Sequence, residues 1–409
     1  MISVALKDFY DALVVSKAVS SAKVPYAVVK INGNTMDVCT SDGYRKFVKR
    51  MNIENSDNTE SSFVVSLEKI LGILGNYLPA DGISASPLNI EFGGENIVSL
   101  YCEHSLSEEK YAEGLAGKRV NVLNNKVAVE SSAEQRHAML CRTDYDSLLN
   151  EPDSCDEWVV STLKENISRL NIDQATKTIY TSSRRSEMFA VGSNQLSIIK
   201  IEPINFGFNL EVSTAKAVVD ALGKFDCSTA KVYSVENGRY ATFLNESCTM
   251  ALWVAGVANT RGDISKLELY TNPEVAYDNY KGLCIKVSLM TAVNAIIGSD
   301  KSDSQEFEII DIDTEPKIKM SNVIAGGSVS NTFTTEFIDF ALGTDINENL
   351  KGKIVVKTLK DMLSNCKENF VRLCVQRFNE YAIVRVDDIV IKDNAIDIKS
   401  SHFTMINTR

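Results

Sequence analysis

Few side chains in this sequence have the types and spacing that catalysis requires. Three histidines could act as acids, bases or metal ligands, and they lie far apart in the chain, at His104, His137 and His402. The sequence contains no GxxxxGK(S/T) phosphate-binding loop, no HExxH zinc motif and no GxSxG nucleophile elbow. The pattern therefore disfavours an enzyme, and we expect no cofactor.

Two pairs of acidic residues have a spacing that could hold a metal ion. They are Asp311 with Asp313, and Asp387 with Asp388. Carboxylates are ligands of hard cations, but each pair lies beside a predicted β-hairpin turn, where paired acids are usually solvated. We therefore predict no metal site.

The composition is that of an ordinary globular protein. Of 409 residues, 44% are hydrophobic and 24% are charged, with seven prolines and 21 glycines. These values exclude disordered, collagen-like and disulfide-framework classes. The nine cysteines form no CxxC pair and mostly lie in apolar runs, so we interpret them as reduced and buried.

Charge and hydropathy restrict what the protein binds and where it acts. The formal net charge is −11, which excludes a uniformly basic coat for nucleic acid but permits a local basic surface. No apolar run approaches the roughly 18 residues of a membrane span, and the first residues lack the layout of a signal peptide. We therefore expect a soluble, cytoplasmic protein with no membrane partner.

One pattern repeats along the whole chain. In residues 63–74 a β-branched run is followed by a serine at a helix-start position and then by apolar residues at helical spacing. Copies recur at intervals of 61 to 76 residues, the one at 139–149 being the weakest. Turn residues divide the chain after each helix into β-like runs. Equivalent positions in the six copies are Val4, Val65, Cys141, Val212, Val287 and Val356.

Pairing the six units predicts three domains, at 1–130, 131–272 and 273–409. Each would contain two copies of a unit made of one strand, one helix and a run of antiparallel strands. The predicted fold class is α+β.

Three segments resemble a known family. Residues 289–301, LMTAVNAIIGSDK, look like the first helix of its third domain, residues 40–45, TSDGYR, resemble its T-D-G-h-R turn, and residues 395–407 are similar to its last strand and methionine-containing tail. The family is the bacterial β-type sliding clamp, the processivity factor of replicative DNA polymerases. In the middle domain the corresponding turn reads TSSRRS at 181–186, and the terminal MPMRL is absent. We interpret the chain as resembling a diverged clamp, with a bacteriophage origin as one hypothesis.

The resemblance implies a ring that encircles double-stranded DNA without reading its sequence. In the family two helices per domain face the pore, and their basic side chains contact phosphates. The alternative for each lysine is a solvated helix face. Carried over to the repeat helices and to a possible helix at 156–170, the candidates are Lys7, Lys17, Lys23, Lys69, Lys164, Arg169, Lys216, Lys224, Lys357, Lys360 and Lys367.

The resemblance also implies a partner pocket between the middle and third domains. There, DNA polymerase and the clamp loader of the family insert a short hydrophobic peptide. Exposed methionine and aromatic side chains suit such binding, although Phe403 and Met405 are equally compatible with the end of a half-buried strand. The wall carried over by position is Thr181, Arg184, Met188, Phe189, Val254, Val257, Phe403, Met405 and Ile406.

A head-to-tail homodimer is the implied assembly, since six domains close the family's ring. The prediction is edge-strand pairing in which Ile97, Val98, Leu100 and Tyr101 meet a helix of the other chain bearing Ile296 and Ile297. A different class remains open, a phage structural or assembly protein of tandem β-rich domains. Such a protein would form open or higher assemblies without a basic lumen.

Overall fold

The structure is a computed structural model, and the chain divides into two compact units. Unit 1 contains Met1–Ser161 with Lys216–Gly256, and unit 2 contains Thr162–Ala215 with Val257–Arg409. The residues that the structure describes are 1–21, 23–58, 60–78, 83–85, 87–92, 97–102, 104–106, 123–128, 143–170, 176–192, 195–225, 227–235, 239–257, 265, 282–286, 304–310, 317–324, 327–334, 351–377, 381–392 and 395–407.

Amphipathic spacing determines the helices. In the first helix, Leu6, Phe9 and Leu13 recur at three- and four-residue intervals and are at most 3% exposed, so one face is buried and the other meets solvent. None of the helices in the described residues is long and apolar enough to cross a membrane. The described α-helices are α1 (Leu6–Val19), α2 (Leu67–Leu74), α3 (Val160–Arg169), α4 (Val212–Lys224) and α5 (Val356–Ser364), with 3-10 turns at Gly75–Tyr77 and Asp146–Leu149.

Unit 1 is built on an eight-stranded antiparallel sheet, which we call sheet A. Its strands, in spatial order, are β12 (Asp156–Val159), β17 (Thr229–Val235), β18 (Tyr240–Asn245), β19 (Met250–Ala255), β4 (Arg45–Asn52), β3 (Thr35–Ser41), β2 (Tyr26–Asn32) and β6 (Ser61–Ser66). A five-stranded sheet has the order β11 (Leu123–Ala128), β9 (Ile97–Cys102), β8 (Leu88–Phe92), β1 (Ile2–Val4) and β5 (Glu54–Asn55). A separate pair joins β10 (His104–Leu106) to β7 (Ile83–Ala85).

Unit 2 is built on a second eight-stranded antiparallel sheet, sheet B. Its order is β16 (Asn209–Glu211), β13 (Thr178–Ser182), β14 (Glu187–Val191), β15 (Gln195–Lys200), β27 (Ala395–Asn407), β26 (Tyr381–Lys392), β25 (Phe370–Arg377) and β20 (Gly282–Lys286). A four-stranded sheet has the order β23 (Gly327–Thr334), β22 (Lys317–Ile324), β21 (Ser304–Ile310) and β24 (Lys351–Val355).

The two large sheets share one internal plan. In sheet A, β4 pairs with β19, and in sheet B, β15 pairs with β27, so each sheet joins strands from two separate stretches of sequence. Strands β13, β14, β15 and β16 occupy the positions in sheet B that β2, β3, β4 and β6 occupy in sheet A. The internal repeat predicted from the sequence is therefore visible as equivalent strand orders.

The repeated strand and helix are confirmed in four of the six predicted copies, as β1 with α1, β6 with α2, β16 with α4, and β24 with α5. In the copy anchored at Val287 the strand is β20, and its predicted helix lies outside the described residues. Both predicted domain boundaries, near 130 and 272, also lie outside them, so the three domain ranges stay a prediction.

The third copy was placed wrongly. The strand and helix of this region are β12 and α3, whereas Cys141 lies outside the described residues. The apolar residues that suggested a helix, Tyr145, Leu148 and Leu149, belong to a short turn whose side chains pack against Val48 in the core of sheet A. Their spacing therefore reflects packing onto a sheet, because one 3-10 turn also places residues three apart on one side.

Candidate functional site

Helices α1 and α4 lie together on one face of sheet A. Phe47 of β4 stacks on Phe225, just after α4, with ring centroids 6.3 Å apart. The Lys49 ammonium lies 5.0 Å from the centroid of the same ring. At the other side of the contact, Asp11 of α1 lies 3.8 Å from the ammonium of Lys224 on α4. Strand β4 thus presents its odd-numbered side chains to this pair of helices.

The outward faces of these helices carry predicted DNA-binding lysines. Lys7, Lys17, Lys216 and Lys224 are all exposed. Asp11 is only 6% exposed, and it also accepts a 2.6 Å hydrogen bond from Lys7. One buried carboxylate therefore holds two of the four lysines near the junction of the helices.

In unit 2, α3 and the chain that follows α5 meet at β26. Asp388 of β26 accepts hydrogen bonds from the backbone N–H groups of Lys367 and Glu368, at 2.9 and 3.0 Å. The same carboxylate is paired with the guanidinium of Arg169 at the end of α3. This arrangement fixes the ends of two helical segments to one strand.

The prediction that Arg169 contacts DNA is wrong. Its side chain is 4% exposed, and its Nη2 atom lies 2.6 Å from Glu165 and 2.7 Å from Glu368, in addition to the pair with Asp388. A guanidinium bound to three carboxylates inside the protein has no donor positioned for a phosphate. The spacing of Glu165 and Arg169, four residues apart on one helix, was the sequence signal for an internal pair.

The other ten basic candidates are all exposed. Besides the four on α1 and α4, they lie on α2, α3 and α5 or just after a helix, at Lys23, Lys69, Lys164, Lys357, Lys360 and Lys367. Exposure is necessary for phosphate contact, but solvated lysines are also exposed. The role of these ten residues stays a prediction.

The predicted partner wall is corrected at three positions. Met188, Val254 and Phe403 are each 0% exposed, so they are core residues and a peptide cannot reach them in this structure. Phe403 lies on β27, between β15 and β26, and the buried Arg385 guanidinium lies 5.5 Å from the centroid of its ring. Val254 is on β19 and therefore in unit 1, while Met188 is on β14 in unit 2.

The remaining wall residues differ in accessibility. Thr181 is 8% exposed, and its hydroxyl bonds to the backbone of Phe208, which is a structural contact. Phe189 is 7% exposed and stacks on Tyr180 with centroids 5.0 Å apart. Arg184 and Met405 are exposed and Val257 is half-buried, whereas the side chain of Ile406 lies outside the described residues.

The order of strands also shows that the family's turn does not correspond to residues 181–186. The TSDGYR turn joins β3 to β4 and is closed by a 3.1 Å bond from the Asp42 N–H to the Arg45 carbonyl. Its counterpart in sheet B joins β14 to β15, where the Gly192 N–H bonds to the Gln195 carbonyl at 2.8 Å. Residues 181–186 instead join β13 to β14. The prediction that residues 181–186 correspond to the TSDGYR turn is therefore wrong by one hairpin.

The predicted dimer contact is corrected as well. Strand β9 pairs with β8 on one side and β11 on the other, so its backbone has no open edge for another chain. Val98 and Leu100 are 3% and 1% exposed and face the core, while Ile97 and Tyr101 are both 38% exposed on the opposite side. In the described part of this sheet the longer edge strand is β11. Ile296 and Ile297 lie outside the described residues.

The acidic pair Asp387 and Asp388 does not flank a turn. Both are 0% exposed in the middle of β26. Asp387 accepts hydrogen bonds from Arg372 at 2.6 Å and from the Ser401 hydroxyl at 2.6 Å, and it is also paired with Arg385. These carboxylates are internal ion-pair partners, and the described residues contain no cluster of three or more groups that could hold a metal.

His402 is the histidine whose environment is best defined. It is 0% exposed on β27, between the hydroxyls of Ser197 and Ser400. Burial lowers the pKa of its imidazole to about 4, so the ring is neutral near pH 7. The side chains of His104 and His137 lie outside the described residues.

Comparisons with known proteins identify the fold. No family model matches the sequence, and no curated protein matches it significantly. The beta subunit of DNA polymerase from Streptococcus pyogenes superposes with a TM-score of 0.66 at 11% identity, over 99% of each chain. The DNA polymerase III subunit beta of Pseudomonas aeruginosa gives 0.65 at 13% identity over 100% of both chains. A Helicobacter pylori beta clamp bound to a DNA ligase peptide gives 0.61 at 13% identity, again over the full lengths.

These structural similarities show the fold class of the chain. The chain has the three-domain α+β fold of DNA sliding clamps, as its sequence predicts. Within that class, the solved structures that it resembles are the beta subunits of bacterial DNA polymerases, at an identity of 11 to 13%.

Proposed function

We propose that this chain is a DNA sliding clamp, a ring that encircles duplex DNA and tethers a replicative polymerase to it. The observation that supports this most directly is the match to beta subunits over 99 to 100% of both chains. The match spans this chain and the beta subunits from end to end. A shared domain alone would be weaker support, because folds are reused for many functions.

The mechanism is topological. A closed ring slides along DNA yet cannot leave it sideways, so the protein needs confinement more than strong attraction. Net charge of −11 is compatible with this, because only the helix faces need to be basic. The lysines of α1 and α4 supply such a face, interrupted by the exposed Asp8 and Asp220. Weak, sequence-independent phosphate contacts of this kind allow sliding.

We infer no catalytic role. The buried carboxylates of Asp387 and Asp388 are paired with arginines. The protein would act by holding other proteins on DNA in the cytoplasm of a bacterial or phage-infected cell. Its partners would be DNA polymerase and a clamp loader, bound through a hydrophobic peptide. The Helicobacter pylori beta clamp, which has a similar fold, is bound to a DNA ligase peptide.

The assembly that we propose is a head-to-tail homodimer of six domains. Strand β11 supports it, since an edge strand offers unpaired backbone groups to another chain. The exposed Ile97 and Tyr101 on the neighbouring strand would add apolar area to the same contact. This revises the predicted contact while keeping two of its side chains.

Retention on circular DNA tests the function. Purified protein is incubated with linear plasmid DNA, onto whose ends a ring can thread, and the plasmid is then closed with ligase. One portion is passed through a sizing column in high salt, and a second portion is passed after a restriction enzyme has linearised the plasmid again. We expect co-elution with the circle and release from the linear form, with rings visible by negative-stain electron microscopy. Open filaments or shells, with equal retention on both DNA forms, would contradict the proposal and favour a structural or assembly protein.

A further inference from the structure

Sheet A carries a stack of aromatic rings and cations that the DNA-binding proposal does not use. The rings of Tyr240 and Trp253 are stacked, with centroids 5.1 Å apart and an angle of 18° between their planes. The Lys46 ammonium lies 4.5 Å from the centroid of Trp253, and the Arg239 guanidinium lies 5.5 Å from that of Tyr240. We call these four residues the aromatic ladder.

The residues of the aromatic ladder are partly exposed to solvent and pack on the buried core of sheet A. Tyr240, Trp253 and Lys46 are half-buried and Arg239 is exposed, while Trp253 also packs on the core cluster beneath it. The β3–β4 turn borders the ladder and presents Tyr44, which is 75% exposed. Tyr44 is held through its backbone, because its carbonyl accepts a 2.7 Å bond from the Ala255 N–H.

The turn itself is neutral and locked. Asp42 accepts hydrogen bonds from the backbone N–H groups of Tyr44 and Arg45, at 2.9 and 2.7 Å. The Arg45 guanidinium donates two hydrogen bonds to the same carboxylate, at 3.0 and 2.7 Å. Gly43 permits the tight geometry with a φ of 93°. The acid of this turn is therefore already neutralised, and Lys46 remains as a positive charge beside it.

The ladder faces away from the candidate DNA helices. Phe47 and Lys49 of β4 contact Phe225 on the helix face, and alternation along a strand places Lys46 on the opposite face. Trp253 is the register partner of Lys46 and shares that face. Duplex DNA held by α1 and α4 would lie on the other side of the sheet.

The chemistry of the ladder favours an acidic ligand. Cations are stacked over both rings, and the rings stack on each other, so a nucleobase would have to displace one of these contacts before stacking there. The ring edges carry partial positive charge, and Lys46 and Arg239 add full charges. A carboxylate-bearing chain with apolar side chains matches this surface, with the apolar groups lying against Tyr44 and Trp253.

We propose that the aromatic ladder and Tyr44 form a docking surface for an acidic, partly apolar peptide segment of a partner protein. Contacts would be made by carboxylates to Lys46 and Arg239 and by apolar side chains to the exposed rings. The surface requires neither DNA nor a closed ring, so it stands independently of the proposed clamp function.

Fluorine NMR on the full chain tests the proposal, because the sequence has two tryptophans. In protein labelled with 5-fluorotryptophan, Trp158 is 6% exposed and serves as an internal reference. The probe is a peptide of Glu-Glu-Leu repeats, and the comparison ligands are Lys-Lys-Leu repeats and oligothymidylate. We expect the acidic peptide to shift the Trp253 resonance saturably while the Trp158 resonance stays in place.

Matched charge reversals locate the site. Lys46→Glu should weaken binding of the acidic peptide about tenfold, and Tyr44→Ala should weaken it without changing the fold, because the side chain is exposed. Lys17→Glu, on the opposite face of the sheet, should leave binding within about twofold. The proposal is overturned if Trp253 does not respond, if the basic peptide acts equally, or if Lys46→Glu has no effect. A stronger response to oligothymidylate would replace it with a single-stranded nucleic-acid site.

Discussion

Arg169 has a structural role, because its buried guanidinium forms ion pairs inside the protein instead of contacting DNA. Its guanidinium joins Glu165 of its own helix to Glu368 and to Asp388 of β26. A buried cation of this kind is strongly constrained, since removing it leaves the buried carboxylate of Asp388 without this partner in a medium of low dielectric. Its contribution is to stability, through the attachment of α3 to sheet B.

Replacing Arg169 with alanine should lower the free energy of unfolding by about 3–5 kcal/mol, because Asp388 would remain buried and without this partner. Chemical denaturation measures the change. The control is Lys164→Ala on the same helix, which is exposed and should alter stability by less than about 0.5 kcal/mol. Equal effects of the two substitutions would show that the ion pair contributes nothing specific.

His402 should make stability depend on pH. Burial lowers its pKa from the ordinary 6.5 to about 4, so between these values the unfolded chain binds a proton that the folded chain excludes. Above pH 6.5 the imidazole is neutral in both states and does not lower the free energy of unfolding. As the pH falls from 6.5 toward 4, the free energy of unfolding decreases, with a slope of at most about 1.4 kcal/mol per pH unit from this group.

The slope is measured by urea unfolding at several pH values across that window. His402→Gln should reduce the slope relative to the unchanged protein, whatever its effect on stability at neutral pH. Lys392→Gln, an exposed substitution on the neighbouring strand, should retain the original slope. A His402→Gln protein with the original pH dependence would mean that the imidazole titrates normally.

At the scale of elements, the order of strands decides which surfaces are available. Strand β9 has the apolar sequence expected of an interface, but it is an interior strand flanked by β8 and β11. Backbone groups that already bond on both sides cannot pair with another chain. In the described part of this sheet the longer edge strand is β11, which pairs with β9 through Leu123–Ala128.

Proline substitutions in β11 test its part in dimer formation. Consecutive residues of a strand direct their N–H groups to opposite sides, so of Asn125→Pro and Lys126→Pro one removes a bond to β9 and the other removes a donor at the free edge. We expect one variant to lose thermal stability, and the other to stay folded but to sediment as a single chain. A folded variant pair in which both remain dimeric would contradict closure through β11.

For the whole molecule, the relevant quantity is the distribution of charge and not its sum. The exposed lysines of α1 and α4 lie on one face of sheet A, and the aromatic ladder lies on the other. If the helix face meets DNA, a change of charge there should affect DNA association far more than the same change elsewhere. Net charge would be altered equally in both cases.

The variant Lys17→Glu with Lys216→Glu should weaken DNA association and reduce the slope of log affinity against log salt by about 2, or roughly 0.9 for each phosphate contact. Its charge-matched control is Lys177→Glu with Lys392→Glu, two exposed lysines that are not on helices. Fluorescence anisotropy with duplex DNA over a range of salt provides the comparison. Equal slopes for the two variants would exclude these helices from the DNA-facing surface.

The sequence by itself determined the architecture. The repeat of strand and helix, with turn signals between the following strands, depends on residues close together in the chain, and local spacing reports such structure directly. The same information predicted the α+β fold class, and the resemblance of three segments to the β-type sliding clamp implied the clamp-like plan. It also predicted ten basic residues that the structure places at exposed positions on helices or just after them, because amphipathic periodicity separates buried from solvated positions.

Only the tertiary structure decided which of the candidate side chains are buried and which strands lie at the edges of the sheets. Met188, Val254 and Phe403 look like candidates for a peptide-binding surface in sequence, but each is 0% exposed in the folded protein. Asp387 and Asp388 read as a solvated turn, yet Arg372 and Arg169 from other elements pair with them inside the protein. The aromatic ladder is also assembled across three strand regions, by Lys46, Arg239, Tyr240 and Trp253. Such contacts depend on which strands become neighbours, and a short-range pattern carries no information about that order.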